Sequence, residues 1–227
     1  MGIDYVPRMR LTWLGHSCVH LSGSKKILID PFVGEGKVPE VPCDIVVVTH
    51  GHSDHMGATL ALEKRTVAIN EIAKYLKSRG ITAEGMNLGG SIEIEGIRFT
   101  MTPAMHSAWI EEGGIGCNGG AAAGFVIRMD GKSIYHAGDT ALFSDMKLIG
   151  ELYHPDVALL PIGGRFTMGP EEAMMAARFI GAPLMIPIHY NTWPVISQDP
   201  MPLKYALERT TDIRVSILKP GEHIDLS

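Results

Sequence analysis

Between residues 9 and 33, apolar and polar side chains alternate with the two-residue period of half-buried strands. The segments are 10–14, 18–21 and 26–29, and Ser22-Gly23-Ser24 supplies the turn between the last two. Residues 34–43 carry Gly, Pro and charge, which predicts a loop. Asp44-Ile45-Val46-Val47-Val48 is a short β-branched run and reads as a buried strand. From 56 to 65, Ala, Leu, Glu and Lys at helical spacing predict a helix, with Ser53 placed to cap it. A strand at 67–69, a helix at 71–78 stopped by Gly80, and strands at 91–94 and 98–101 follow.

The second half echoes the first. Residues 121–129 and 133–135 read as strands, and Asp156-Val157-Ala158-Leu159-Leu160 parallels the run at 44–48. The helix over 169–179 has Pro170, Glu171 and Glu172 in its first turn, and Leu184-Met185-Ile186-Pro187-Ile188 is another buried strand. The pattern predicts an α/β fold with two pseudo-equivalent halves. At 227 residues and 45% hydrophobic, the whole chain, 1–227, reads as a single domain.

Charge and cysteine usage narrow the class. A net charge of −5 leaves no broad basic face for nucleic acid. Cys18, Cys43 and Cys117 form no paired framework, which suits a reducing compartment. Met1-Gly2-Ile3-Asp4-Tyr5-Val6-Pro7-Arg8 lacks the apolar core of a signal peptide, and no apolar run approaches the ~20 residues that cross a bilayer. The expectation is a cytoplasmic protein with no membrane partner; the oligomeric state stays open.

The chemistry concentrates in Thr49-His50-Gly51-His52-Ser53-Asp54-His55. His50 and His52, two apart after a strand, can point the same way, and Asp54 and His55 open the next helical turn. Imidazole and carboxylate are ligands for zinc, manganese and iron. One metal has difficulty using four ligands packed so closely in sequence, whereas two adjacent metals do not. Three more candidates, His106, Asp139 and His189, sit at or just past strand ends, the usual site position in α/β folds. Gly113-Gly114-Ile115-Gly116-Cys117-Asn118-Gly119 contains a formal dinucleotide fingerprint, but no strand leads in and no helix follows. It reads instead as a flexible loop beside a pocket.

The central motif resembles the signature of the metallo-β-lactamase superfamily of binuclear metal hydrolases. Trp13-Leu14-Gly15-His16-Ser17 and Ile29-Asp30-Pro31-Phe32 resemble a subgroup of metal-dependent hydrolases related to ascorbate-phosphate lactonases and N-acyl-phosphatidylethanolamine phospholipase D. The resemblance implies a four-layer αββα sandwich. It also implies that His50, His52 and His106 bind a first divalent ion, that Asp54, His55 and His189 bind a second, and that Asp139 bridges them. Zinc and manganese are the expected metals. Such a pair, less the two carboxylates and a hydroxide, keeps about +1 of charge and favours a small anionic ester, phosphodiester or lactone. Asp54 is the expected catalytic carboxylate, orienting the nucleophile, and Arg165 the expected substrate contact.

Several residues stay open at this point. His16 either reaches the site behind the ligands or is structural, and Arg165 either clamps an anion or pairs on the surface. Asp30 is expected to hold a loop through backbone amides rather than a metal. His136, beside Asp139, either supports the site from behind the ligands or is structural; His20 reads as structural, and His154 and His223 as surface residues. Trp109 and Phe166 either wall the pocket or belong to the core. Competing functions are a nuclease of the same superfamily, a di-iron oxidoreductase and a non-catalytic metal-binding protein. The di-iron relatives resemble H-x-E-x-D-H, with a carboxylate where this chain has His52.

Overall fold

The computed structural model describes residues 8–112 and 115–226. The predicted opening strands form as β1 (Met9–Gly15), β2 (Cys18–Ser22) and β3 (Lys26–Ile29), with β2 antiparallel to both of its neighbours. Three parallel strands continue the sheet: β4 (Ile45–Val47), β5 (Arg65–Ile69) and β6 (Ala83–Met86). β4 is buried on both faces, the usual fate of a β-branched run in a parallel sheet.

The helix expected over 56–65 is broken in two. Helix α1 (Ser53–Met56) and helix α2 (Thr59–Leu62) are single turns, and Arg65 already belongs to β5. The break is at Gly57, whose φ of 44° favours glycine, and a Cβ there would lie 2.3 Å from the Pro31 carbonyl oxygen. His52, not Ser53, occupies the N-cap position, and no side chain caps the turn. Helix α3 (Asn70–Ser78) ends before Gly80 as expected.

The second sheet repeats the plan. Antiparallel β7 (Ser91–Ile94) and β8 (Ile97–Pro103) lead to a separate hairpin of β9 (Trp109–Glu112) and β10 (Ile115–Asn118). The glycine-rich stretch expected to be a loop is therefore largely strand, with Cys117 opposite Ile110; Gly113 and Gly114 lie outside the described residues. The Trp109 indole lies across Gly116, where a Cβ would come within 1.4 Å of Nε1, so glycine there makes room for the ring. Strands β11 (Ala123–Met129) and β12 (Lys132–His136) extend the antiparallel part. After α4 (Met146–Tyr153) comes β13 (Val157–Pro161), after α5 (Pro170–Ile180) comes β14 (Leu184–Ile188), and after α6 (Met201–Thr210) comes β15 (Arg214–Val215), all three strands parallel to β12. Finally β16 (His223–Leu226) returns to pair antiparallel with β1.

Two seven-stranded sheets thus face each other with helices outside, the αββα sandwich. One apolar core joins them, from Leu11, Leu21 and Val46 on one side to Phe99, Phe125 and Leu159 on the other. Cross-sheet hydrogen bonds fix their relative position: the Ala123 N–H donates to the Thr49 carbonyl at 3.1 Å, and His136 Nε2–H donates to the Ser17 carbonyl at 2.9 Å. Both anchors lie beside the candidate ligands. No helix among the described residues is long and apolar enough to cross a membrane.

Candidate metal centre

Each candidate ligand follows a strand or opens the turn beyond it, so the ends of β4, β8, β12 and β14 converge. Three groups of donor atoms result, each group within 4.8 Å of its own members: His50, His52 and His106; His50, His55 and Asp139; and His16, Asp54, His55 and His189. All seven expected ligands are brought together, and His16 joins them.

The first group shows its purpose in its tautomers. Thr49 O–H donates to Asp30 Oδ2 at 2.7 Å, so Thr49 Oγ1 accepts from His50 Nδ1–H at 3.1 Å. His50 Nε2 is left with a lone pair. His52 Nδ1 lies 2.9 Å from that lone pair and His52 Nε2 lies 3.3 Å from Ser107 Oγ, so one tautomer of His52 hydrogen-bonds to His50 and the other turns its own Nδ1 lone pair to the same side. In the second tautomer His50 and His52 offer two imidazole donors to one cation, and this donor chemistry fits a metal ion. Gly51 permits the corner: a Cβ there would meet Ile110 Cγ1 at 2.8 Å and the Trp109 carbonyl oxygen at 3.0 Å.

The other donors tell the same story. Asp30, fully buried, accepts the Thr49 N–H at 2.8 Å and His55 Nδ1–H at 2.7 Å. That leaves His55 Nε2 free, and this atom, Asp139 Oδ1 and His189 Nε2 are buried without a hydrogen-bond partner. Their neighbours are one another, in contacts short of good hydrogen-bond geometry, and several buried donor atoms converging in this way fit an ion. Asp139 Oδ1 lies 3.3 Å from His55 Nε2, while its Oδ2 lies 3.0 Å from His189 Nε2 and 3.7 Å from His106 Nε2. Asp139 therefore stands between the groups.

Electrostatics follows from this crowding. Burial pushes His50 well below its ordinary value, with His55 adding repulsion. Burial also opposes charge on His189, yet Asp139 and Asp54 raise it to about 9. Asp139 resists protonation despite its burial because His55 and His189 face it. Asp54 is likewise held low, against burial, by His16 and His189.

Some readings are refined here. Asp30 does hold Thr49 through its backbone amide, as expected, but it also orients His55 and, through the Thr49 hydroxyl, His50. Sequence reasoning missed this pair and Ser107, although Ile29-Asp30-Pro31-Phe32 had been singled out. His136 is structural: Nε2–H donates to Ser17, and Nδ1 accepts the Gly138 N–H at 3.1 Å, which fixes the turn carrying Asp139. His20 is structural too, donating to the Pro42 carbonyl at 2.9 Å. His154 and His223 are exposed, as expected.

Arg165 is exposed, with its guanidinium over the Phe166 ring at 5.7 Å, and among the described residues it forms no salt bridge. Its loop reaches the site through Gly163, where a Cβ would touch the His189 carbonyl oxygen at 2.6 Å. Trp109 and Phe166 are about half exposed and do not belong to the core. Asp54 is the most accessible of the central carboxylates, its side chain 22% exposed against 3% for Asp139. It borders a cleft of ≈ 540 Å³ walled in part by Phe32, Lys37, Ser53 and Trp193.

A four-layer sandwich with this His and Asp constellation at its strand ends defines a metal-dependent hydrolase. Comparison places the chain more narrowly. Residues 25–190 match the Beta-lactamase superfamily domain, and the chain belongs to that family. It is 64% identical over 218 residues to a UPF0173 metal-dependent hydrolase from Methanoculleus marisnigri, covering 96% of this chain and 97% of that one. A protein of the same description from Methanosarcina mazei is 50% identical over 229 residues, covering 96% and 99%. Among solved structures, Igni18, a metallo hydrolase from Ignicoccus hospitalis, superposes with a TM-score of 0.88 at 35% identity, covering 97% and 99%. An isothiocyanate hydrolase from Delia radicum gut bacteria shares the fold at a TM-score of 0.76 and 20% identity, covering 96% of this chain and 99% of that one.

Proposed function

We propose that this hydrolase is binuclear and acts on a small anionic ester, phosphodiester or lactone. His50, His52 and His106 would hold the first ion, Asp54, His55 and His189 the second, and Asp139 would be shared between them. The observation that carries the reading is the position of Asp139, whose carboxylate lies 3.7 Å from His106 Nε2 of the first set and 3.3 and 3.0 Å from His55 Nε2 and His189 Nε2 of the second. Zinc or manganese fits the imidazole and carboxylate set. Bound there, such ions supply an acidified water and polarise the oxygen under attack.

The residues divide the remaining work. Asp54, accessible at the cleft wall, orients the attacking water. Asp30, Thr49 and Ser107 keep the imidazole lone pairs aimed inward, so no reorganisation is needed when the reaction begins. Arg165 contributes a positive charge in the loop beside His189 and contacts the anionic part of the substrate. A small organic anion suits this arrangement better than nucleic acid, because the chain carries −5 overall and long nucleic acid needs many phosphate contacts.

Elemental analysis after controlled reloading tests the metal count, with two ions per chain expected and a plateau at one defeating the binuclear reading. A panel of aryl phosphodiesters, sugar lactones, thioesters, β-lactams and structured RNA, run with zinc and with manganese, tests the substrate class. Turnover of RNA with none on small esters would overturn the small-anion assignment.

A further inference from the structure

His16 belongs to neither set of three donors, yet it touches two members of the second. Its Nε2 lies 3.0 Å from Asp54 Oδ2, and its Nδ1 lies 2.8 Å from Thr192 Oγ1. A carboxylate only accepts, so Nε2 carries the proton and Nδ1 accepts the Thr192 hydroxyl. The His16 carbonyl accepts twice, from the His189 N–H at 2.8 Å and from the Trp13 indole N–H at 2.9 Å. One residue therefore grips Asp54 with its ring and His189 with its backbone.

The chain bends unusually to put His16 there. The β1–β2 register shifts between Trp13 and Gly15, an irregularity of the kind that re-aims side chains beside active sites. Gly15 follows at φ +110° and His16 at φ +50°, a left-handed conformation that residues with a Cβ rarely adopt. His189 repeats this at φ +53°, so the two residues joined by the backbone hydrogen bond are both left-handed. The ring is then wedged in place, 4.1 Å from the His189 ring centroid, 4.9 Å from that of Trp193 and 5.5 Å from that of Phe32.

Asp54 needs such a grip. Its Oδ2 stands 3.8 Å from His189 Nε2 and 3.9 Å from His55 Nε2, and its side chain is the one central carboxylate open enough to swing toward solvent. We propose that His16 is a positioning residue for the second ion's donor set, holding Asp54 Oδ2 and the His189 backbone in register; this rests on the donor assignment made above. It acts through these ligands and does not itself bind the metal. It thereby selects which Asp54 oxygen faces the ion, and Thr192 selects which His16 nitrogen faces Asp54.

The test compares wild type, His16→Phe, His16→Gln and Thr192→Val. The readouts are the affinity for each of two zinc ions by chelator competition, and the absorption spectrum of the cobalt-loaded protein. His16→Phe keeps an aromatic ring and removes the donor, so it should weaken the second ion ten- to a hundredfold while leaving the first unchanged. His16→Gln places an amide N–H toward Asp54 and should recover most of the affinity with a wild-type cobalt spectrum. Thr192→Val should weaken the second ion in the same direction by less, and it serves as the deciding variant if circular dichroism shows His16→Phe unfolded. Wild-type affinity in Thr192→Val and in a folded His16→Phe would overturn the proposal. So would a cobalt spectrum in His16→Gln that has lost an imidazole ligand, since His16 would then be a ligand itself. A wild-type protein that takes up only one zinc ion would instead bring down the donor assignment beneath it, a failure visible before any variant is made.

Discussion

Asp30 Oδ2 accepts a hydrogen bond from His55 Nδ1 at 2.7 Å, and both side chains are fully buried. Because the same oxygen also takes the Thr49 hydroxyl, one carboxylate sets the tautomers of two imidazoles in different donor groups. Asp30→Asn removes that capacity, since an amide presents one acceptor oxygen and a nitrogen that only donates. The expected outcome is a ten- to hundredfold loss of affinity for metal. A drop in stability of about 1–3 kcal/mol should accompany it. Chelator competition and urea titration measure the two, and wild-type affinity in this variant would remove Asp30 from the metal chemistry.

Ligands and bystanders should separate cleanly. His106→Ala and His189→Ala each remove a donor and should lose one ion and most activity. His154→Ala and His223→Ala alter exposed residues and should keep both. Equal losses in all four, with circular dichroism unchanged, would mean that the donor assignment is wrong.

The metal-free protein should lose stability at both ends of the pH scale. Burial holds His136 below the ordinary imidazole value of 6.5, so as pH falls below 6.5 the unfolded chain takes up the proton first and stability declines. His189 behaves oppositely. Burial opposes its charge, but Asp139 and Asp54 raise it to about 9, so its contribution is complete below 6.5 and is lost as pH rises through 9. Bound ions take over the task of balancing the carboxylates, and the alkaline decline should vanish on reloading. Melting temperatures from pH 5 to 10 with and without chelator give the comparison; a flat metal-free curve between 6.5 and 9 contradicts the reading.

Gly57→Ala should cost stability without touching a ligand. The residue sits at φ +44° with the Pro31 carbonyl oxygen 2.3 Å from where a Cβ would go, so the α1–α2 break must shift or strain. A loss on the order of 1–3 kcal/mol is expected. Equilibrium denaturation checks it.

Arg165→Ala should raise KM with kcat nearly unchanged, because a charge that contacts substrate and transition state alike contributes uniform binding. A fall in kcat at constant KM would instead mean that the guanidinium meets charge developing during the reaction. Steady-state kinetics on the best panel substrate decides this.

Much of the architecture was legible because pattern and burial agree: the apolar runs at 45–47 and 157–161 are strands buried on both faces, and their equivalence announced the two halves. The ligands were legible because metal chemistry restricts residue type and places them at strand ends. The two-part helix after the motif was not, since the Pro31 carbonyl that accepts the Ala58 N–H at the break, and that leaves room only for glycine at 57, is remote in sequence. The β9–β10 hairpin was hidden by its glycine content, of which Gly116 makes room for the Trp109 ring packed across it. Thr49, Ser107 and Thr192 carried no signal of their own, because a hydroxyl gains its role only from the imidazole placed beside it.

The return of β16 to β1, with Met9 opposite Leu226, has a consequence for synthesis on the ribosome. The outer edge of the sheet that carries the His50 motif has no partner until residues 223–226 emerge, long after the motif itself. During that interval β1 offers an open row of N–H and C=O groups to any other nascent strand. The last strand is thus a closing clasp, and chains cut short before it should aggregate through β1 even though every metal-binding side chain has already been made.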